Sequence, residues 1–134
     1  MTKLSILAVA SVSLLPANYA DGQTIDGNTL YSACMASEDL IQQGFCIGWM
    51  IGQIEGESSG AFIVLSQAGD DNTAAEVNPV INLFLGRCIP ESATNQQLKD
   101  VVVRYLENHP ETRHQPARLL ANLALGEAFP CPIE

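Results

Sequence analysis

From Asp21 to Pro79 the chain contains no lysine or arginine, while nine acidic residues fall in the same stretch. A surface so short of positive charge has nothing to offer a phosphate backbone or an anionic headgroup, which excludes nucleic-acid and acidic-lipid partners. Histidine is nearly as scarce. His109 and His114 are the only two, five positions apart, and both follow the same predicted helix. No Ser-His-Asp order can be drawn through them, and their spacing does not put two ligands on one helix face, so neither a hydrolase centre nor a metal site is expected. The four cysteines form no Cys-x-x-Cys, which removes zinc knuckles and thioredoxin-type redox chemistry. Asp70-Asp71-Asn72-Thr73-Ala74-Ala75-Glu76 is rich in oxygen but lacks the alternating acids and central glycine of an EF-hand, and reads as a solvated loop. No catalytic residue, metal or cofactor is assigned, and the chain is not read as an enzyme.

What is present begins with an apolar leader. Lys3 precedes an uncharged run from Leu4 to Leu15, broken by Pro16 and followed by Ala17-Asn18-Tyr19-Ala20, the pattern of a secretory signal peptide. Cleavage is placed after Ala20, with an uncleaved anchor as the alternative, so residues 21–134 form a single mature domain. Losing Lys3 takes the formal net charge from −9 to −10. With 47% hydrophobic and 16% charged residues, the composition suits one small globular domain rather than a disordered chain. An even number of cysteines in an exported chain points to two disulfides in an oxidising compartment.

The most distinctive internal pattern lies between Glu38 and Gly60, where Gly44, Gly48, Gly52, Gly56 and Gly60 recur every fourth residue. Such a step drifts only about 40° around a helix, so the glycines trace one slowly winding groove into which a neighbouring helix backbone can sink. Each costs about 1 kcal/mol against alanine in a helix interior. Either packing returns that loss or the helix ends near Gly56-Glu57-Ser58-Ser59-Gly60. The uncharged run Phe45 to Ile54 is ten residues long, half the roughly twenty needed to cross a bilayer. It is a helix-packing device, and no membrane association follows signal cleavage.

Around this ridge the chain reads as helices. Asp26-Gly27-Asn28 opens a short helix to about Ser37, and Glu38 and Asp39 place negative charge at the start of the ridge helix. Ala61 to Leu65 continues the apolar pattern, Gln67 to Asn72 is a polar loop, and Asn78-Pro79 restarts the chain into a helical turn over Val80 to Leu85. Thr94 and Gln97 form a capping box ahead of Leu98, Val101, Val102, Tyr105 and Leu106, one apolar face, which His109-Pro110 ends. Pro116 opens a last helix with Leu119, Leu120, Leu123, Ala124 and Ala128 inward. Antiparallel neighbours joined by short turns bring Cys88 to Cys131 and Cys34 to Cys46. The fold class is all-α: a small disulfide-clamped bundle of four to five helices.

Cys46-Ile47-Gly48-Trp49-Met50-Ile51-Gly52, Cys88-Ile89-Pro90 before Gln97-Leu98, the run Val101 to Ala117, and Ala124-Leu125 with Ala128-Phe129-Pro130-Cys131-Pro132 occur in that order. Together they resemble the Rap/Tai family of periplasmic immunity proteins, whose small helical domain is similar to the acid chaperone HdeA. The resemblance spans roughly Gly27 to Pro132, with Trp49 where the family often has tyrosine and a longer segment from Glu55 to Leu85. It implies a periplasmic protein, a homodimer in this family's pattern, that binds and neutralises a protein toxin, typically a peptidoglycan amidase delivered by type VI secretion, by occluding its active site. Tyr105, Pro110, Arg113, His114 and Pro116 are read as structural. By charge alone, Glu55, Glu57, Asp70, Asp71 and Glu76 are the candidates for the partner surface. The alternatives are an HdeA-like acid-stress chaperone and an orphan binding module.

Overall fold

A computed structural model describes residues 24–67 and 74–132, which form five α-helices, one short 3-10 turn and no strand. The helices are α1 Gly27–Met35, α2 Leu40–Gln67, α3 Ala74–Leu85, α4 Asn95–Asn108 and α5 Ala117–Ala128, with the turn Pro110–Thr112 between the last two. The leader, its cleavage point, and Asp70 and Asp71 lie outside the described residues.

Local chemistry sets most of the helix starts. The Asp26 carboxylate accepts from Thr29 N–H at 2.8 Å, and the Asp39 carboxylate accepts from Ile41 and Gln42 N–H at 3.0 and 3.1 Å, satisfying donors that a helix leaves orphaned. Thr94 Oγ1 accepts from Gln97 N–H at 3.2 Å in the same way. The first turn of α1 also docks on a distant loop, with Gly27 and Asn28 N–H donating to the carbonyls of Gln115 (3.0 Å) and Arg113 (2.9 Å). A Cβ on Gly27 would lie 2.5 Å from Leu120 Cδ1 and 2.9 Å from the Arg113 carbonyl oxygen. Only glycine permits that approach.

α2 does not end at Gly56–Gly60 but runs unbroken for 28 residues. The ridge itself departs from the sequence reading, since nothing lies within 4 Å of the position a Cβ would take at Gly44, Gly48, Gly52, Gly56 or Gly60. Phase explains this. The core-facing residues Cys46 and Met50 are two positions away from the glycines, or about 200° around the helix, so the helix buries the opposite side. α3 likewise starts at Ala74 rather than after Pro79, which sits in its second turn and gives up one backbone bond there. In α5 the inward stripe is Ala117, Leu120, Ala121, Ala124 and Leu125, whereas Leu119 and Leu123 are 45% and 48% exposed. Small residues face in because α5 approaches closely: a Cβ on Gly126 would lie 3.1 Å from the Gly86 carbonyl oxygen.

The main core joins α1, the first half of α2, α4 and α5 through Leu30, Met50, Leu98, Val102, Leu106, Leu120 and Leu125 with smaller residues between them. Disulfides Cys34–Cys46 and Cys88–Cys131, with Cα–Cα distances of 5.1 and 4.9 Å, clamp it at two places. A second, far smaller cluster of Ala61, Val77 and Ile81 holds the end of α2 against α3.

Candidate partner-binding site

Because so little is buried between them, the C-terminal half of α2 and α3 make a helical hairpin beside the main core, with apolar side chains left in water. Phe62, Ile63 and Val64 of α2 are 37%, 54% and 64% exposed, and Val80, Leu83 and Phe84 of α3 are 49%, 69% and 70% exposed. Scattered apolar residues are ordinary on a protein surface, but a set gathered on one hairpin makes it the candidate contact surface. Between the helices and the segment after Cys88 lies a groove of about 730 Å³. Its lining includes the buried Ile81, the half-buried Ile89, and the exposed carboxylates of Glu55 and Glu91.

The hairpin is fastened to the bundle by a polar lock. Gly86, at φ 66°, ends α3 with Gly86 N–H donating to Leu83 O and Arg87 N–H to Asn82 O, both at 3.1 Å. This is a Schellman motif, and it turns Arg87 into the interior, where the residue is 2% exposed. Arg87 Nη1 lies 2.8 Å from Glu57 Oε2 as an ion pair and also donates to Asn122 Oδ1. Asn122 Nδ2 donates to Glu57 Oε1 at 2.6 Å, and Gln53 Nε2 donates to the same oxygen. Arg87 Nη2 is buried without a hydrogen-bond partner among the described residues. One carboxylate thus gathers α2, the end of α3 and α5.

The five acids singled out by charge therefore have different surroundings. Glu55 is exposed at the groove, and Glu57 is engaged with Arg87 and Asn122. Glu76 lies in α3, and Asp70 and Asp71 are outside the described residues. The sequence reading missed Arg87, Asn122 and Glu91. The one signal for Arg87 was its place directly after a glycine that ends an apolar helical run, and nothing in the sequence named the acid it meets.

The residues read as structural sit at the opposite end of the bundle. Arg113 Nε donates to the Leu106 carbonyl at 2.5 Å and Nη2 to the Glu107 carbonyl at 3.3 Å, capping the end of α4. Its guanidinium also stacks 3.8 Å over the Tyr31 ring. Tyr105 stacks on His109 with ring centroids 4.2 Å apart, Pro110 begins the 3-10 turn, and Pro116 is the residue before α5. His114 is exposed. The Asp26 carboxyl is held below its ordinary pKa by the Thr29 N–H, then by the Thr29 hydroxyl. Among the described residues no three metal-ligating side chains gather, and no helix is long and apolar enough to cross a membrane.

No curated protein and no solved structure matches the chain. A family model does: the one for Rap1a immunity proteins matches residues 26–131, a span that takes in all five helices and both disulfides. The chain belongs to the Rap1a immunity protein family.

Proposed function

We propose that this immunity protein is exported to the periplasm and there binds a cell-wall-degrading amidase delivered by a type VI secretion system, inhibiting it by occluding its active site. The observation that carries the reading is the α2–α3 hairpin, where exposed apolar side chains and Glu55 stand beside a disulfide-clamped bundle. Exposed apolar area supplies binding energy, and uncompensated acid speeds the encounter with a cationic face. Glu55 acts by direct contact, and Asp70, Asp71 and Glu76 are proposed as further partner-binding residues by their charge alone. Glu57 acts by holding Arg87, and so the hairpin, in place. The test is calorimetry between oxidised residues 21–134 and the product of the adjacent gene, followed by that product's peptidoglycan hydrolysis. A nanomolar complex that abolishes hydrolysis is expected; no binding overturns the reading.

The exposed glycine face of α2 gives a homodimer its seam. Leu40 and Ile41 are 84% and 83% exposed there, and no charge occurs from Leu40 to Ile54. Sedimentation of Gly48→Glu against wild type tests it, because a carboxylate in that seam dissociates a dimer. An acid-activated chaperone has one observation in its favour: the hairpin, with its exposed apolar side chains, is fastened to the bundle through the Arg87–Glu57 ion pair. Suppression of client aggregation at about pH 2.5 supports that second reading, and its absence removes it.

A further inference from the structure

The groove beside the hairpin has a more specific chemistry than an acidic patch. Ile81, 5% exposed, and the half-buried Ile89 give it apolar depth. Phe62 and Ile63 form an apolar flank on α2, and Glu55 and Glu91 are two exposed carboxylates on different segments of its edge. Among the described residues no lysine or arginine lines it. The base nearest in sequence, Arg87, is buried and turned to Glu57, and no other occurs between Lys3 and Arg87. Among the described residues neither Glu55 nor Glu91 forms a salt bridge, and low-dielectric walls focus their field into the groove.

Such a site discriminates among side chains. An acidic one is repelled, and a short apolar one leaves the carboxylates unused. Lysine and arginine satisfy both parts, because their methylene stems cover apolar surface while the charged head stays at the polar edge. The groove is open to solvent and about 730 Å³ in volume, which leaves room for an apolar neighbour of the basic residue beside Phe62 and Ile63. A second copy of this chain is a poor occupant of this groove, as distinct from the uncharged α2 face, since its stretch from Asp21 to Pro79 has no lysine or arginine to place between the carboxylates.

We infer that this groove docks a basic segment of the toxin, a lysine or arginine flanked by apolar residues, with the cationic head between Glu55 and Glu91. The inference rests on the toxin-binding reading and names the surface by which it operates.

The test compares wild type with Glu55→Gln/Glu91→Gln, and with Ser59→Trp at the groove wall. Each is titrated with the adjacent-gene product in about 50 and about 300 mM NaCl. Glu55, Glu91 and Ser59 are exposed, so thermal unfolding is expected to match wild type. The expected result is at least tenfold weaker binding for the double variant, with a flatter salt dependence, and a comparable loss for Ser59→Trp. Wild-type affinity in both variants overturns the groove while leaving toxin binding intact. A wild-type protein that binds nothing overturns the toxin reading and the groove with it. A homodimer dissociated by Ser59→Trp with toxin affinity unchanged assigns the groove to self-contact, and also overturns the inference.

Discussion

The bundle and the hairpin are built from the same long helix, yet they bury very different numbers of apolar side chains. In the bundle, thirteen residues are buried in one cluster crossed by α1, α2, α4 and α5. In the hairpin only three residues are buried, against six large apolar side chains left in water, as many as the whole bundle exposes among the described residues. The bundle therefore supplies most of the burial that stabilises the fold, and the hairpin supplies little. Burial in the hairpin is too small to fix its own position. Arg87, Glu57, Asn122 and the Cys88–Cys131 disulfide do that instead.

The comparison breaks first if the disulfide is removed. On the loop-entropy model, Cys88→Ser/Cys131→Ser, opening a sequence separation of 43, lowers the free energy of unfolding by about 4 kcal/mol. The same change at Cys34 and Cys46, separated by 12, removes about 3 kcal/mol. Urea denaturation of the two variants measures both. If the hairpin is fastened at one end chiefly by its exit, only the Cys88–Cys131 variant also accelerates amide exchange across α3.

Arg87→Ala comes next. Truncating one partner of a buried pair strands the other charge, at a penalty of about 3 to 5 kcal/mol; because Glu57 is 21% exposed, the low end is expected. Arg87→Met/Glu57→Leu should recover most of that loss in denaturant melts, since it leaves no uncompensated charge. A double variant as unstable as the single one means that the polar bonds, rather than the charge balance, hold the hairpin.

The glycines give a smaller and oppositely signed test. Gly48→Ala meets nothing within 4 Å and gains about 1 kcal/mol of helix propensity in the monomer. Gly27→Ala loses stability, because its Cβ meets the Arg113 carbonyl at 2.9 Å. Thermal melts at low protein concentration read both signs.

The smallest effect lies at Asp26, on the bundle side. Asp26→Ala removes a cap and costs about 1 kcal/mol, while Asp26→Asn keeps most of the cap without the charge. Since the folded carboxyl titrates below its ordinary 3.8, the unfolded chain takes up the proton first as pH falls. The advantage of aspartate over asparagine is present above 3.8 and disappears as pH drops through the lowered folded value. Stability of the two proteins across that acid range measures the difference.

Much of the bundle was legible because its cues are local. Thr94, Asp26 and Asp39 cap helices they directly precede, the α4 stripe has helical period, and short turns between antiparallel helices dictate both cysteine pairings. The hairpin was less so. Pro79 reads as a break although the helix around it is continuous, and a repeat of glycines reads as a packing groove whichever way it faces. Glu55 and Glu57 look alike in sequence, two residues apart; their different fates depend on where Arg87 and Asn122 arrive, thirty and sixty-five positions later.

By itself the sequence determined the helices, the two disulfides and the membership of an immunity family, since capping, periodicity and cysteine spacing act over a few turns of chain. Only the tertiary structure decided which face of α2 is buried, which acid is engaged, and that the hairpin holds an acid-edged apolar groove. Those outcomes depend on contacts between segments far apart in sequence, and a local pattern carries no information about what will be brought against it.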